Sequence, residues 1–244
     1  MELFTTPWWS ALLAIILIDL VLAGDNAIVI ALAARNLPPH LQKKAIAWGT
    51  VGAIVVRSVM TVGVVWLLKI PGLMLVGGVG LLWIAYKLLA DQADKEHDGP
   101  VVSTFWAAMK TIVVADALMG IDNVLGVAGA AQGSFGLVVI GLLVSIPIVV
   151  FGSTMVLKLV ERYPMIINIG AAVLAFTAAK MIISEQLLDA VYGGPNTPPS
   201  AKTMVIVAQW ATYAIAVAGV LGGGWWATRH NRSSKGKGHT PLAR

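Results

Sequence analysis

Seven long apolar runs, separated by short polar or proline-containing breaks, organise this chain of 244 residues. The first covers 8–35 and stops at Asn36-Leu37-Pro38-Pro39, where paired prolines bias the backbone out of the helix. The second and third cover 45–68 and 71–90. A charged stretch follows, then runs at 104–132, 135–159 and 164–188, and a Gly/Pro-rich loop leads to the last at 203–227. A helix crossing a hydrocarbon layer needs about 20 residues, and every run has that length. The pattern predicts an all-α membrane protein with seven transmembrane helices.

Composition points the same way. Apolar residues make up 58% of the chain and charged residues 12%, about half the charged share of soluble domains. With a mean hydropathy of +0.83, this excludes a soluble globular enzyme, a disordered chain and a collagen-like fibre. Cysteine is absent, which removes disulfides, thiolate metal sites and a cysteine nucleophile. The net charge of +5 comes from residues sorted by side. Placing the N-terminus outside puts Arg35, Lys43, Lys44, Lys87, Lys95, Lys158, Arg162 and every basic residue of the 228–244 tail inside. The outside segments carry only Lys69 and Lys202, while Arg57, Lys110 and Lys180 lie within spans. This bias predicts an N-out, C-in protein with an odd number of spans and no nucleic-acid partner. No basic segment precedes the first run, so it is expected to remain as a span. Trp8, Trp9, Trp225 and Trp226 are expected in the interfacial belts, and the tail is expected to be solvated.

The chain repeats itself. Asp19-Leu-Val-Leu-Ala-Gly-Asp25-Asn26 matches Asp116-Ala-Leu-Met-Gly-Ile-Asp122-Asn123, both D-x5-D-N inside apolar runs. Pro71, Gly77, Trp83, Ala85 and Lys87 similarly align with Pro164, Gly170, Phe176, Ala178 and Lys180. This predicts two inverted three-helix repeats plus one C-terminal helix. The first repeat occupies 1–90 and a charged cytoplasmic linker 91–103. The inverted second repeat occupies 104–190, an outer loop 191–202, the seventh helix 203–227 and the basic tail 228–244. Three helices is an odd number, so the second unit enters from the opposite side, as in many secondary transporters.

An ionisable side chain at the bilayer centre costs about 2.5–3.5 kcal/mol on insertion scales, so four aspartates facing lipid would cost roughly 10 kcal/mol. They must instead face protein, water or a cation. Asp19 lies about 16 Å beyond Trp8, and Asp116 about 15 Å beyond Trp106 from the other side. The two motifs therefore meet near one level. On a straight helix Asp19 and Asn26 share a face and Asp25 does not, so Gly24 and Gly120 are expected to permit local unwinding that exposes backbone carbonyls. Asp19, Asp25, Asn26, Asp116, Asp122 and Asn123 then form a hard-oxygen set suited to Mg²⁺, Ca²⁺ or Mn²⁺. All four histidines lie outside the spans, which disfavours Zn²⁺. Met119 is read chiefly as core packing, with a thioether ligand favouring Mn²⁺ as the alternative. Arg57 is read either as a counter-ion to one aspartate or as a structural ion pair. Lys87, Lys180 and Glu185 are expected to snorkel to the interfaces.

The motif Asp19–Asn26, the following Ala33-Ala34-Arg35-Asn36-Leu37-Pro38 and the Asp122-Asn123 pair resemble the TerC family of integral membrane proteins, its YjbE-type branch in particular. The likeness covers about residues 8–190. It implies divalent metal export, chiefly of Mn²⁺, across the bacterial inner membrane, within a wider superfamily that includes lysine and metal efflux proteins. The family's functional residues map first onto Asp25 and Asp122, then onto Asp19 and Asp116. The chain departs from many relatives in having Asp19 rather than glutamate, and Asn123 rather than serine.

The resulting expectation is a secondary transporter and no enzyme, needing no cofactor beyond its transported ion. No P-loop sequence occurs, so proton antiport is the expected coupling, with protons and the lipid bilayer as partners. A membrane-protein assembly partner is the competing class, and export of Ca²⁺ or Mg²⁺ the nearer alternative. An intramembrane aspartyl protease fits less well, because Leu22-Ala23-Gly24-Asp25 lacks the first glycine of G-x-G-D. An amino-acid exporter would want cationic donors for a carboxylate, and these motifs are acidic.

Overall fold

The structure, a computed structural model, describes residues 5–67, 70–90, 101–131, 134–194 and 198–235. Most of the charged linker and the end of the basic tail lie outside the described residues. Among these residues every regular element is helical. Helix α1 covers Thr6–Ala34, α2 Pro39–Val62, α3 Val64–Leu67 and α4 Leu73–Ala90. Helix α5 covers Val101–Ala131, α6 Phe135–Arg162 and α7 Met165–Ile183. The short α8, Asp189–Tyr192, precedes the long α9, Lys202–Lys235. Five of these helical segments are long and apolar enough to cross a membrane, and α1 adds a sixth when its halves, Thr6–Asp19 and Gly24–Ala34, are taken together across a 48° bend.

Helices α1 and α2 each begin with proline in the first turn, where its missing N–H breaks no intrahelical bond. The second span breaks at Gly63, which caps α2 through its N–H to the Val59 carbonyl. Residues 45–62 therefore sit in α2 and the rest of that run begins the short α3. The last span exceeds its expected length. Helix α9 runs to Lys235, so the first residues of the tail are helical rather than loose.

Packing is reciprocal between the first and second groups of three long helices. Helix α1 lies along α6 and α5, α2 lies along α5 and α6, and α4 pairs with α7, while α9 packs outside α7 and α4. Glycines permit close helix approaches, two of them on α2 and α6. A Cβ on Gly49 of α2 would stand 2.9 Å from Ile112 on α5, and one on Gly141 of α6 would stand 2.5 Å from Ile15 on α1. Small residues allow such backbone approach where lipid supplies no hydrophobic drive between helices. Side chains such as Trp66, Phe151 and Val76 are exposed, as expected of lipid-facing positions. Trp225 and Trp226 are also exposed, but Trp8 is buried against Ala11, Leu12 and Leu142. Trp8 is therefore a packing residue, and Trp9 alone of that pair is outward.

Both ends of α4 are held by charges from elsewhere. Glu185, just past α7, accepts hydrogen bonds from the backbone N–H groups of Gly72, Met74 and Leu75 at 3.0, 3.1 and 3.3 Å. These are donors that a helix start leaves without partners. The turn that presents them uses Gly72 at φ 82°, a region that favours glycine. At the other end Arg35 Nη2 donates to the Leu88 carbonyl at 2.7 Å. An anion at the N-terminus and a cation at the C-terminus both suit the helix dipole. Glu185 is thus a buried cap and not a snorkelling side chain.

Candidate functional site

The two D-x5-D-N motifs lie in mid-helix on α1 and α5, which pack against each other, with α2 beside them. Asp19 and Asp116, the first aspartate of each motif, are both buried. Buried carboxylates need a partner, and α2 supplies one. Arg57 is itself buried; it donates from Nη1 to Asp19 Oδ1 and from Nη2 to Asp116 Oδ1, the latter at 2.5 Å. The planar guanidinium fork is suited to this task, since its donors diverge within one plane. Here the fork is shared between two acids instead of closing on one. Removing one partner from such a buried pairing typically costs about 3–5 kcal/mol, because a charge is left uncompensated. Thr61 Oγ1 donates to the Arg57 carbonyl at 2.8 Å and ties the same stretch of α2. Two carboxylates facing one guanidinium leave acceptor capacity over, and Asp116 Oδ2 and Asn26 Oδ1 are buried without a hydrogen-bond partner.

Asp25 stands apart from this group, as its helical angle predicted. It is half-buried. Its Oδ1 accepts the Asn26 N–H at 3.1 Å, and its Oδ2 accepts the Thr177 hydroxyl of α7 at 3.4 Å. Asn26 is buried and Asn123 half-buried. The Asp122 side chain lies outside what is described. Among the described residues no three carboxylates or histidines converge into a metal-binding group. Of the six expected oxygen ligands, the described side chains bring Asp19 and Asp116 together on Arg57 and leave Asp25 apart from them. Like charges repel unless neutralised, and the cation that draws Asp19 and Asp116 together is Arg57.

Local unwinding is also not what the glycines produce. Helix α5 continues through Gly120, and α1 is helical through Gly24 but bends by 48° between Asp19 and Gly24. Nothing stands within 4 Å of where a Gly24 Cβ would lie. Met119 is buried in the core with Leu81, Ala85 and Leu174, which supports the packing reading. Thr177 is the site residue the sequence reading passed over. Its signal was a hydroxyl within the otherwise apolar segment of α7 where the first repeat has Ile84. Arg57 was anticipated as partner to one aspartate, and the structure gives it two.

Comparison with known proteins adds a family. The model of the integral membrane protein TerC family matches residues 4–232. The membrane protein YjbE of Bacillus subtilis (strain 168), named as uncharacterized, is 41% identical over 198 residues, covering 81% of this chain and 90% of its own. The inner membrane protein YgdQ of Escherichia coli (strain K12) is 23% identical over 194 residues, covering 72% of this chain and 81% of its own. No solved structure matches the chain significantly.

Proposed function

The chain belongs to the TerC family of integral membrane proteins, and we propose that it is a secondary transporter that exports divalent metal ions, Mn²⁺ first among them, from the bacterial cytoplasm. One observation carries this reading: two duplicated acidic motifs, one on α1 and one on α5, have their first aspartates brought to a single buried point by Arg57. A scaffold has no use for so costly an arrangement, whereas a cation carrier needs anionic oxygens away from both membrane surfaces. The ion is the cargo, so the protein is a carrier and no enzyme.

Seven spans complete the proposal: the five apolar helical segments, the bent α1, and α5. The basic-residue bias supports an outer N-terminus and a cytoplasmic C-terminus. Reciprocal packing supports the inverted repeat. The contact of α1 with α6 exchanges with that of α5 with α2, and the glycine-to-isoleucine approaches at 141/15 and 49/112 are its matched pair. A second matched pair is the Thr61 hydroxyl on the Arg57 carbonyl and the Ser153 hydroxyl on the Val149 carbonyl. Alternating access between such halves is how inverted-repeat transporters move their cargo.

Half-buried Asp25, with buried Asn26 beside it, is the ligand that an arriving dication meets first. Asp122 and Asn123 are its counterparts on α5, and Asp19 and Asp116 complete the oxygen set. Proton exchange is the coupling we propose, since protons and metal compete for the same carboxylates. The test uses purified protein in proteoliposomes with an imposed pH gradient. Mn²⁺ should move towards the acidic side, with protons moving the other way, and Asp25→Asn should abolish both flows while the protein still inserts. Normal Mn²⁺ flux through Asp25→Asn would refute the ligand assignment. Voltage-driven flux without proton counterflow would make the protein a uniporter, and no flux of any dication would favour an assembly role.

A further inference from the structure

A site built for a dication already contains a cation. Arg57 holds one carboxylate from each acidic motif, so in this arrangement the positive charge at Asp19 and Asp116 belongs to the protein. The rest of the architecture is duplicated, but this residue is not. The glycine pair 49/141 and the hydroxyl pair 61/153 set the same alignment of α2 on α6. That alignment puts buried Val149 opposite Arg57. One guanidinium therefore serves two symmetry-related acids, and a dication bound to both would have to sit where its donors now lie.

We propose that Arg57 is a tethered substitute for the transported ion, which occupies Asp19 and Asp116 while the carrier is empty and is displaced when the dication arrives. This rests on the transport reading above. Each turnover then exchanges one cation for another at these two acids. The metal pulls the carboxylates off the guanidinium on loading, and the guanidinium returns as the metal leaves on the far side. The empty carrier can reset without holding two bare acids together in the membrane. Arg57 is a competitor for the site and not a ligand in it.

Competition makes a prediction opposite in sign to that for a supporting residue. If the docked state holds about nine-tenths of the empty carrier, removing the guanidinium should tighten dication binding about tenfold, because apparent affinity scales with the binding-competent fraction. Isothermal titration of the purified full chain with Mn²⁺ should therefore show Arg57→Gln binding more tightly than wild type. Arg57→Lys, which keeps the charge but loses the planar fork, should fall between wild type and Arg57→Gln, and Arg57→Gln should export more slowly because its empty site no longer resets. Unchanged or weaker Mn²⁺ binding by a folded Arg57→Gln would overturn the proposal. If wild type binds no divalent ion at all, the transport reading fails and takes this inference with it. Should Arg57→Gln fail to fold, the unmodified chain still decides. In protein labelled with ¹⁵N-arginine, the infrared difference spectrum on adding Mn²⁺ should contain isotope-sensitive guanidinium bands as the ion pairs break. Silent guanidinium bands at saturating Mn²⁺ would refute displacement.

Discussion

Replacing Glu185 by alanine tests how the third helix of the first group is anchored. The carboxylate accepts three N–H groups at the start of α4, at 3.0–3.3 Å, and the Leu187 N–H at 3.3 Å. A hydrogen bond to a charged group contributes about 1.5–3 kcal/mol when no other partner is at hand. At the membrane border water can replace part of that, and losing a helix cap alone costs about 0.5–2 kcal/mol. A loss of about 2–4 kcal/mol is therefore expected for Glu185→Ala. In a chain of this size that corresponds to roughly 5–15 °C in Tm. Glu185→Gln keeps an acceptor oxygen and should lose about half as much. Tryptophan fluorescence during thermal unfolding in a mild detergent measures both. The pH dependence has a definite sign. Burial pushes the Glu185 carboxyl up, but the N–H groups of Gly72, Leu187, Leu75 and Met74 together hold it below its ordinary value of 4.5. The contribution is thus fully present above the unfolded value and lost as pH falls through the lowered folded one. The gap between wild type and Glu185→Ala should be constant near neutrality and close in acid. A Tm unchanged within about 1 °C at neutral pH, below the smallest shift this reasoning allows, or a gap that persists below the titration, would refute the cap.

Two further outcomes follow. Gly141→Ala should destabilise by about 1–3 kcal/mol through overpacking against Ile15, Gly49→Ala against Ile112 should do so less because its clash is milder, and pairing Gly141→Ala with Ile15→Val should recover part of the loss in the same thermal assay. A reporter that is active only in the cytoplasm, fused after Arg244, should be active; a silent fusion with an active periplasmic reporter at the same point would overturn both the orientation and the odd span count.

The helices were legible because apolar length and proline placement leave little choice. Pro38 and Pro39 separate α1 from α2 in the structure as in the sequence. Which face each helix buries was not legible, since lipid and protein interior both accept apolar side chains. Trp8 and Trp9 are neighbours, yet one is 5% exposed and the other 53%, and nothing in their chemistry separates them. The sixth run reaches Leu188 in the sequence because Leu187 and Leu188 follow Ser184, Glu185 and Gln186, but Glu185 turns towards α4 and the helix ends at Ile183. In the site, the acids were visible because charge inside an apolar run has few explanations. Their grouping was not, because it depends on the reach of one arginine from a third helix.

The charged clamps on α4 also decide which part of α1 is free to turn. Arg35 follows the last residue of α1 and is bonded to the Leu88 carbonyl, so the stretch Gly24–Ala34 is stapled to α4. The stretch Thr6–Asp19 lies beyond the 48° bend and packs on α6, with Ile15 against Gly141. Gly24 offers no side chain to obstruct rotation there, and its surroundings are open. A pivot at this glycine would swing Asp19 relative to Asp25 while the lower half stays fixed. The spacing between the two aspartates of one motif would then be a variable of the cycle, and the bend a joint whose angle sets the bite of the carboxylates.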